Sequence, residues 1–427
     1  MANPRKTAVS ALTKIEKDNA YSNITLKSFL NNAELTKEDI SFVSALVYGV
    51  LDRRITLDYV LSRCMKTPLK KTAPFTLNVL RTALYQIMFM DKIPESAAVN
   101  EAVKIIKKSK ESRNAGFVNA VLRAALREET LLPESDSANE LSIRFSCPLW
   151  IVESFLKDYG LDTTKALLNE SLKAAPTTLR VNTTKIDTEK LKKDLEAVGI
   201  KSVEYSIENS LCLEKGTDIA KNELYKKGFF HVQDLASQTA ISVLAPQKGE
   251  RVLDICASPG GKSFTMAEYM ENSGEIVACD LYEQRVGLIT DGAKRLGLDI
   301  IKATVNDATV YNEALGKFDC ILCDVPCSGL GVIRRKPDIK YKPQSDFKEL
   351  EDIQHKILTT AVKYLKPNGR ILYSTCTLRR AENENLVIRF QKEYNSFRIV
   401  CENTLMPHIH NTDGFYYALL QDELMEV

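Results

Sequence analysis

No stretch of eighteen apolar residues occurs in these 427 residues, which argues against a membrane-spanning helix. Met1 to Lys6 show no apolar signal core either, so the expectation is a cytoplasmic protein with no membrane partner. Histidine is scarce, four residues in all: His231, His408 and His410 have no obvious ligand partners, and His355 reads as a helix residue. The ten cysteines are scattered and several lie in apparent strands, which favours reduced thiols over a disulfide framework. Glycine is nearly missing from residues 1–130, where only Gly49 and Gly116 occur. Net charge is almost absent at +2, yet residues 1–130 carry 21 Lys and Arg against 13 Asp and Glu. That local excess suits a polyanionic partner, although a Lys-rich solvated helix surface would look the same.

The chain is too long for one ordinary core, and its 44% hydrophobic and 27% charged content is that of a soluble globular protein. Residues 1–130 read at helical period: Leu77, Leu80, Arg81, Leu84, Ile87 and Met88 recur at three- and four-residue steps. Pro68, Pro74 and Pro94 mark boundaries, so an all-helical domain is predicted. Residues 131–176 read as a polar linker to about 145, then a helix from Pro148 to about Asp158. Residues 177–235 form a small α+β module with turns at Gly199 and Gly216. Residues 236–427 alternate strand and helix, with strands near 251–255, 275–279, 300–305, 318–323, 369–374, 397–401 and 415–420. Such alternation predicts a mostly parallel, doubly wound sheet.

The first of these strands runs into Cys256, Ala257, Ser258, Pro259, Gly260, Gly261, Lys262 and Ser263. A Walker A loop needs glycine where Cys256 stands, and the dinucleotide fingerprint G-x-G-x-x-G is missing too. What remains is a tight Gly turn at a helix N-terminus, able to hold a carboxylate such as the methionine end of S-adenosylmethionine. Asp280, after the second strand, is placed for ribose hydroxyls, and Asp307, after the third, for an adenine amino group. Each acid alone could equally cap its own turn.

Asp324 and Cys327 follow the fourth strand and Cys376 follows the fifth, over the same cleft. A thiolate that adds to C6 of cytosine turns C5 into a nucleophile and can leave afterwards, while a nearby acid bonds N3 and the amino group. The residues alone leave open which thiol attacks. Metal binding by Cys320, Cys323 and Cys327 is disfavoured, because an odd offset puts Cys320 and Cys323 on opposite faces of a strand. Cys256, Cys279, Cys320 and Cys323 read as small core residues. The basic stretch Gly331–Lys342, with Arg334, Arg335, Lys336 and Tyr341, suits an RNA backbone and a stacked base, against the alternative of a solvated loop.

From Gly228 onward the chain resembles the RNA cytosine-5 methyltransferases. The resemblance is carried by Gly228–Ser237, Cys256–Lys262, Asp280, Asp307, Asp324–Gly329, Ser374–Cys376 and Asp413–Tyr416, with Leu179–Asn182 upstream. The N-terminal helices resemble NusB at Leu80–Arg81, Ala97–Val103 and Phe117–Arg123. Together they resemble the RsmB (Sun/Fmu) family of bacterial small-subunit rRNA enzymes. The resemblance implies a NusB-like all-α domain, an α+β connector and a Rossmann-like methyltransferase domain. It also implies S-adenosyl-L-methionine held by Cys256–Lys262, Asp280, Asp307 and Asp324, and 16S rRNA as partner of a monomeric, metal-free enzyme. Arg180 and Asn182 are implied to meet RNA, Cys376 to attack and Cys327 to help release. A tRNA cytosine-5 methyltransferase and a non-catalytic RNA-binding or antitermination factor are the rival readings, and the intact thiols, Asp324 and cofactor turn argue against the second.

Overall fold

The computed structural model describes residues 3–18, 20–127, 132–214 and 219–422. Two compact units emerge, one of Met1–Lys173 with Ile333–Lys342 and one of Ala174–Val332 with Pro343–Val427. Leu131, where the linker was expected to begin, and the turn expected at Gly216 lie outside the described residues.

The first unit is helical, as its periodicity and scarce glycine predict. Its long helix Lys37–Cys64 starts at a capping box: Asp39 N donates to Thr36 Oγ1 at 3.1 Å and Thr36 N to Asp39 Oδ2 at 3.4 Å. Pro74 opens the helix Pro74–Phe89 and Pro94 precedes Glu95–Lys107. Leu46, Leu57, Leu80, Leu84, Ile106 and Leu122 fill the common core. The expected linker contains a helix, Ala138–Arg144, because Ser137 caps it and Leu141 is buried. The next helix does not stop near Asp158 but resumes after a break at Gly160 and ends at Ser171.

The segment Ile333–Lys342 belongs to this helical unit, which corrects its reading as a loop for RNA. The Arg334 side chain is 3% exposed, with Glu170 Oε1 3.8 Å away. Lys340, 1% exposed, donates to Asp52 O and Oδ1 at 3.0 Å each and to Ser146 O at 3.1 Å. Tyr341 donates to Leu51 O at 2.7 Å, and its ring lies under the Arg54 guanidinium at 3.4 Å. Arg334 and Lys340 are committed to carboxylates and backbone carbonyls within the fold. Arg335 is half-buried; Lys336 is exposed.

The second unit begins with the α+β module. Strands β1 (Thr177–Val181), β2 (Ser202–Glu204), β3 (Ser210–Leu213) and β4 (Phe230–Val232) pair in the order β2-β3-β1-β4, all antiparallel. The larger sheet holds β5 (Arg251–Asp254), β6 (Glu275–Asp280), β7 (Ile301–Val305), β8 (Phe318–Asp324), β9 (Leu365–Thr375), β10 (Phe397–Leu405) and β11 (Phe415–Asp422). Its order is β10-β11-β9-β8-β5-β6-β7, parallel from β9 through β7, with β11 antiparallel to both neighbours. Core residues divide into two clusters, one with Leu244, Met266, Ile289 and Leu296, the other with Ile357, Leu358, Val387 and Phe390. Helices therefore cover both faces, and the continuous apolar runs of the central strands follow from that double burial. Cys320 belongs to the first cluster and Cys323 to the second, as their odd offset requires.

Candidate active site

The strand order reverses at β5, and the crevice at such a point opens at the carboxyl ends of the strands. There the sheet sets Asp254, Asp280, Asp307, Asp324 and Cys376 at or just beyond the ends of β5, β6, β7, β8 and β9 in turn.

Gly260 takes φ +106°, and a Cβ there would come within 2.5 Å of the Phe264 ring, so only glycine makes this turn. The helix Gly261–Tyr269 follows, and among the described residues no side chain caps its start. Its first N–H groups are thus free to meet an anion. Ser263 Oγ donates to Asp254 Oδ2 at 2.6 Å, and burial pushes the Asp254 carboxyl up to about 7, with Asp324 adding to the rise. Asp280 is buried and accepts from Tyr282 N at 3.1 Å. Asp307 is exposed and its Oδ1 accepts from Thr309 N and Oγ1 at 2.9 and 2.7 Å, so this acid does shape its own turn.

Beyond β8 and β9 the two thiols meet, with Cys327 Sγ 3.3 Å from Cys376 Sγ. Beside them Asp324 is fixed on both oxygens, by Lys262 Nζ at 2.7 Å and Ser374 Oγ at 2.9 Å. Burial works against the Lys262 charge, but Asp324 and Cys376 together hold its ammonium above the usual range. Its Nζ stands 5.1 Å from the Phe415 ring centroid. The Cys327 thiol is pushed well up, first by its bond with Cys376, then by burial and the charges of Cys376 and Glu382. Burial also raises Cys256, Cys279, Cys320 and Cys323, which leaves them inert as nucleophiles.

A clasp holds the two strand-end loops together. Gly331 N donates to Cys376 O at 3.0 Å and Gly414 N to Gly331 O at 2.9 Å. A Cβ on Gly331 would lie 1.9 Å from Gly414 O, so the approach demands glycine. Gln354 Nε2 donates to Pro326 O at 2.9 Å, Ser328 N to Glu382 Oε2 at 2.8 Å, and Ser328 and Thr377 share a hydroxyl contact at 2.7 Å.

Arg180 and Asn182, expected at RNA, are buried instead. Arg180 Nε donates to the buried Glu268 Oε2 at 2.9 Å and Nη1 to Glu208 O at 2.8 Å. Asn182 Nδ2 donates to Gly228 O and Leu296 O, both at 2.8 Å, tying the α+β module to the sheet domain. A guanidinium and an amide so committed cannot reach a phosphate. Asp254, Ser374, Gln354 and Glu382 were missed as site residues. Asp254 ends a strand just as Asp280 and Asp324 do, which was a usable signal; Glu382 lies 54 residues from its partner Ser328 and offered none.

A doubly wound sheet with a Gly turn after its first strand, an acid after its second and a thiol crevice after its fourth and fifth defines a methyltransferase of the Rossmann-like class. Residues 241–421 match the family described as 16S rRNA methyltransferase RsmB/F, residues 2–127 the NusB family, and residues 147–220 the ferredoxin-like domain of RsmF/B-type methyltransferases. The chain is 38% identical over 98% of its length to the probable ribosomal RNA small subunit methyltransferase B of Bacillus subtilis (strain 168), covering 98% of that protein. The crystal structure of PH0851 superposes with a TM-score of 0.84 at 24% identity over 99% of each chain. NSun6 from Pyrococcus horikoshii, solved with SFG, gives 0.60 at 21% identity over 65% of this chain and 98% of its own. The chain belongs to the RsmB/F family of 16S rRNA methyltransferases, and its cofactor is S-adenosyl-L-methionine.

Proposed function

We propose that the protein methylates C5 of a cytosine in 16S rRNA through a transient bond between Cys376 Sγ and C6 of the base. The observation that carries this reading is the pair of thiols 3.3 Å apart beside an Asp324 carboxylate fixed by Lys262 and Ser374. The free helix start after Gly260 fits the methionine carboxylate and the buried Asp280 fits the ribose, while Cys256–Lys262, Asp307 and Asp324 complete the cofactor's surroundings. Bound there, the cofactor supplies an electrophilic sulfonium methyl group.

The protein's own groups account for the rest. Lys262, half-buried and interacting with Cys376 through its charge, favours the thiolate that adds to C6 and leaves the electron pair on C5. Asp324 accepts from the amino group of the base and, in its protonated form, donates to N3 as charge develops there. Once C5 is methylated, its proton is lost to base and the C5–C6 double bond re-forms as the sulfur departs, with Cys327 assisting release. The target base is unstacked into the crevice. The basic NusB-like helices hold rRNA, with the exposed Lys336 as a further contact.

Bisulfite sequencing of small-subunit rRNA, from cells with and without the gene, locates the modified cytosine. Cys376→Ala is expected to abolish the signal. Cys327→Ala is expected to trap an RNA–protein adduct that survives denaturant. Retained turnover in Cys376→Ala sinks the assignment.

A further inference from the structure

The thiol pair is symmetric in distance but not in surroundings. Cys376 interacts through its charge with the Lys262 ammonium, whereas Cys327 sits one residue before Ser328, whose N–H is held by the Glu382 carboxylate. Glu382 is fully buried, and its acceptor bonds leave little freedom: Oε2 takes Ser328 N at 2.8 Å and Gln354 Nε2 at 2.9 Å, and Oε1 takes Arg379 Nη1 at 2.9 Å. Its own carbonyl takes the Tyr373 hydroxyl at 2.7 Å. Gln354 in turn grips Pro326 O, so the carboxylate governs the loop on both sides of Cys327. Arg379 is shared with a second carboxylate, Glu351, at 3.1 Å, so this cation lies between two anions. Tyr373, whose hydroxyl bonds the Glu382 carbonyl, is held neutral chiefly by burial.

We infer that Glu382 is a positioning residue for the thiol pair: it clamps the Pro326–Gly329 loop and sets a fixed negative charge beside Cys327, so that Cys327 keeps its proton and Cys376 is the sulfur that ionises. This rests on the covalent reading above and gives it a structural basis for choosing the nucleophile, which two thiols and an acid do not provide by themselves. A buried charge acts strongly here because little solvent screens it. The Cys327 thiol is raised first by its bond with Cys376 and by burial, with Glu382 adding to the rise and the Gly329 N–H opposing it, which agrees in direction.

The test is the pH dependence of iodoacetamide alkylation at each sulfur, read by peptide mass in the full-length chain. Cys327 is followed in a Cys376→Ser background and Cys376 in a Cys327→Ser background. Glu382→Gln keeps an acceptor for Ser328 N and removes the charge. It is expected to lower the Cys327 midpoint by about one pH unit, a roughly tenfold gain in rate below the midpoint, and to move Cys376 far less. Glu382→Asp keeps the charge and is expected to leave the Cys327 midpoint near that of the unsubstituted residue. An unmoved Cys327 midpoint in Glu382→Gln, or equal shifts at both sulfurs, overturns the inference. If neither Glu382 variant folds, the two single-thiol backgrounds still decide: Cys327 ionising as readily as Cys376 overturns it. Alkylation needs neither RNA nor cofactor. The expected shift in a chain that methylates no cytosine would therefore support Glu382's role while sinking the activity reading.

Discussion

Asp254 shows how one carboxyl reports on its surroundings. It ends β5 at 1% exposure, and burial pushes it up to about 7 from the usual 3.8. Because the folded state holds this proton more tightly than the unfolded chain, its contribution to stability is complete below the unfolded value. That contribution is lost as pH rises through about 7. Three pH units correspond to about 4 kcal/mol at 1.36 kcal/mol per unit, an upper bound before relaxation is counted. Asp254→Asn removes the titration and keeps an oxygen that accepts from Ser263 Oγ. Urea unfolding at pH 5 and pH 8 is expected to show the variant gaining on the parent protein by about 2 kcal/mol or more at the higher pH. An equal difference at both pH values would show that Asp254 ionises normally in the fold. The same residue marks a limit of sequence reading: its position was visible at a strand end, but its burial, which decides its chemistry, was not.

Among the elements, what was legible followed from periodicity and what was not depended on pairing. The seven strands of the large sheet fall where alternation predicted them, because runs such as Ile276 to Cys279 are buried on both faces and leave no competing assignment. The antiparallel course of β11 between β9 and β10 has no local signature; it is fixed by partners such as Tyr416 against Thr375 and Thr404. Strand β9 starts at Leu365, ahead of the predicted 369, and a register shift between Phe318 and Cys320 accommodates the Pro367–Gly369 stretch. The Arg180 reading failed for a related reason. The resemblance implied a contact with RNA, yet β1 turns Arg180 inward onto Glu268 of the neighbouring helix, between groups that are both buried. Burial holds the Glu268 carboxyl up at about 8 even beside Arg180, so Arg180→Met is expected to cost about 3–5 kcal/mol where the acid is ionised, above pH 8, and less as it is protonated below. Chemical unfolding measures the first effect. Filter binding to 16S rRNA, corrected for folded fraction, is expected to show unchanged affinity; a loss of affinity at constant fold would restore Arg180 to the RNA.

At the level of the whole molecule, the chain passes between its two units at residues 173/174, 332/333 and 342/343. Contiguous domains were the natural sequence reading, since nothing in the composition of Ile333–Lys342 distinguishes a solvated basic loop from an inserted segment. The difference lies in partners remote in sequence, Asp52 and Ser146 being 288 and 194 residues from Lys340. Burial disfavours the Lys340 charge, but Tyr341, Asp52 and Cys147 more than offset it, so the ammonium stays charged at 1% exposure. A buried cation with three acceptors makes the segment part of the helical unit's own stability. Lys340→Met keeps most of the volume and removes the charge, leaving the Ser146 carbonyl and the Asp52 carboxylate without their donor. By the cost of an unpaired buried group, the helical unit is expected to lose about 2–4 kcal/mol. Lys336→Met, on an exposed side chain of the same segment, is expected to change stability by no more than about 0.5 kcal/mol. Hydrogen exchange on the full-length chain separates the two cases: Lys340→Met should lower protection along Lys37–Cys64 and around Ser146 while β5 and β8 keep theirs. Unchanged protection along Lys37–Cys64 would mean that the segment rests on that helix without supporting it.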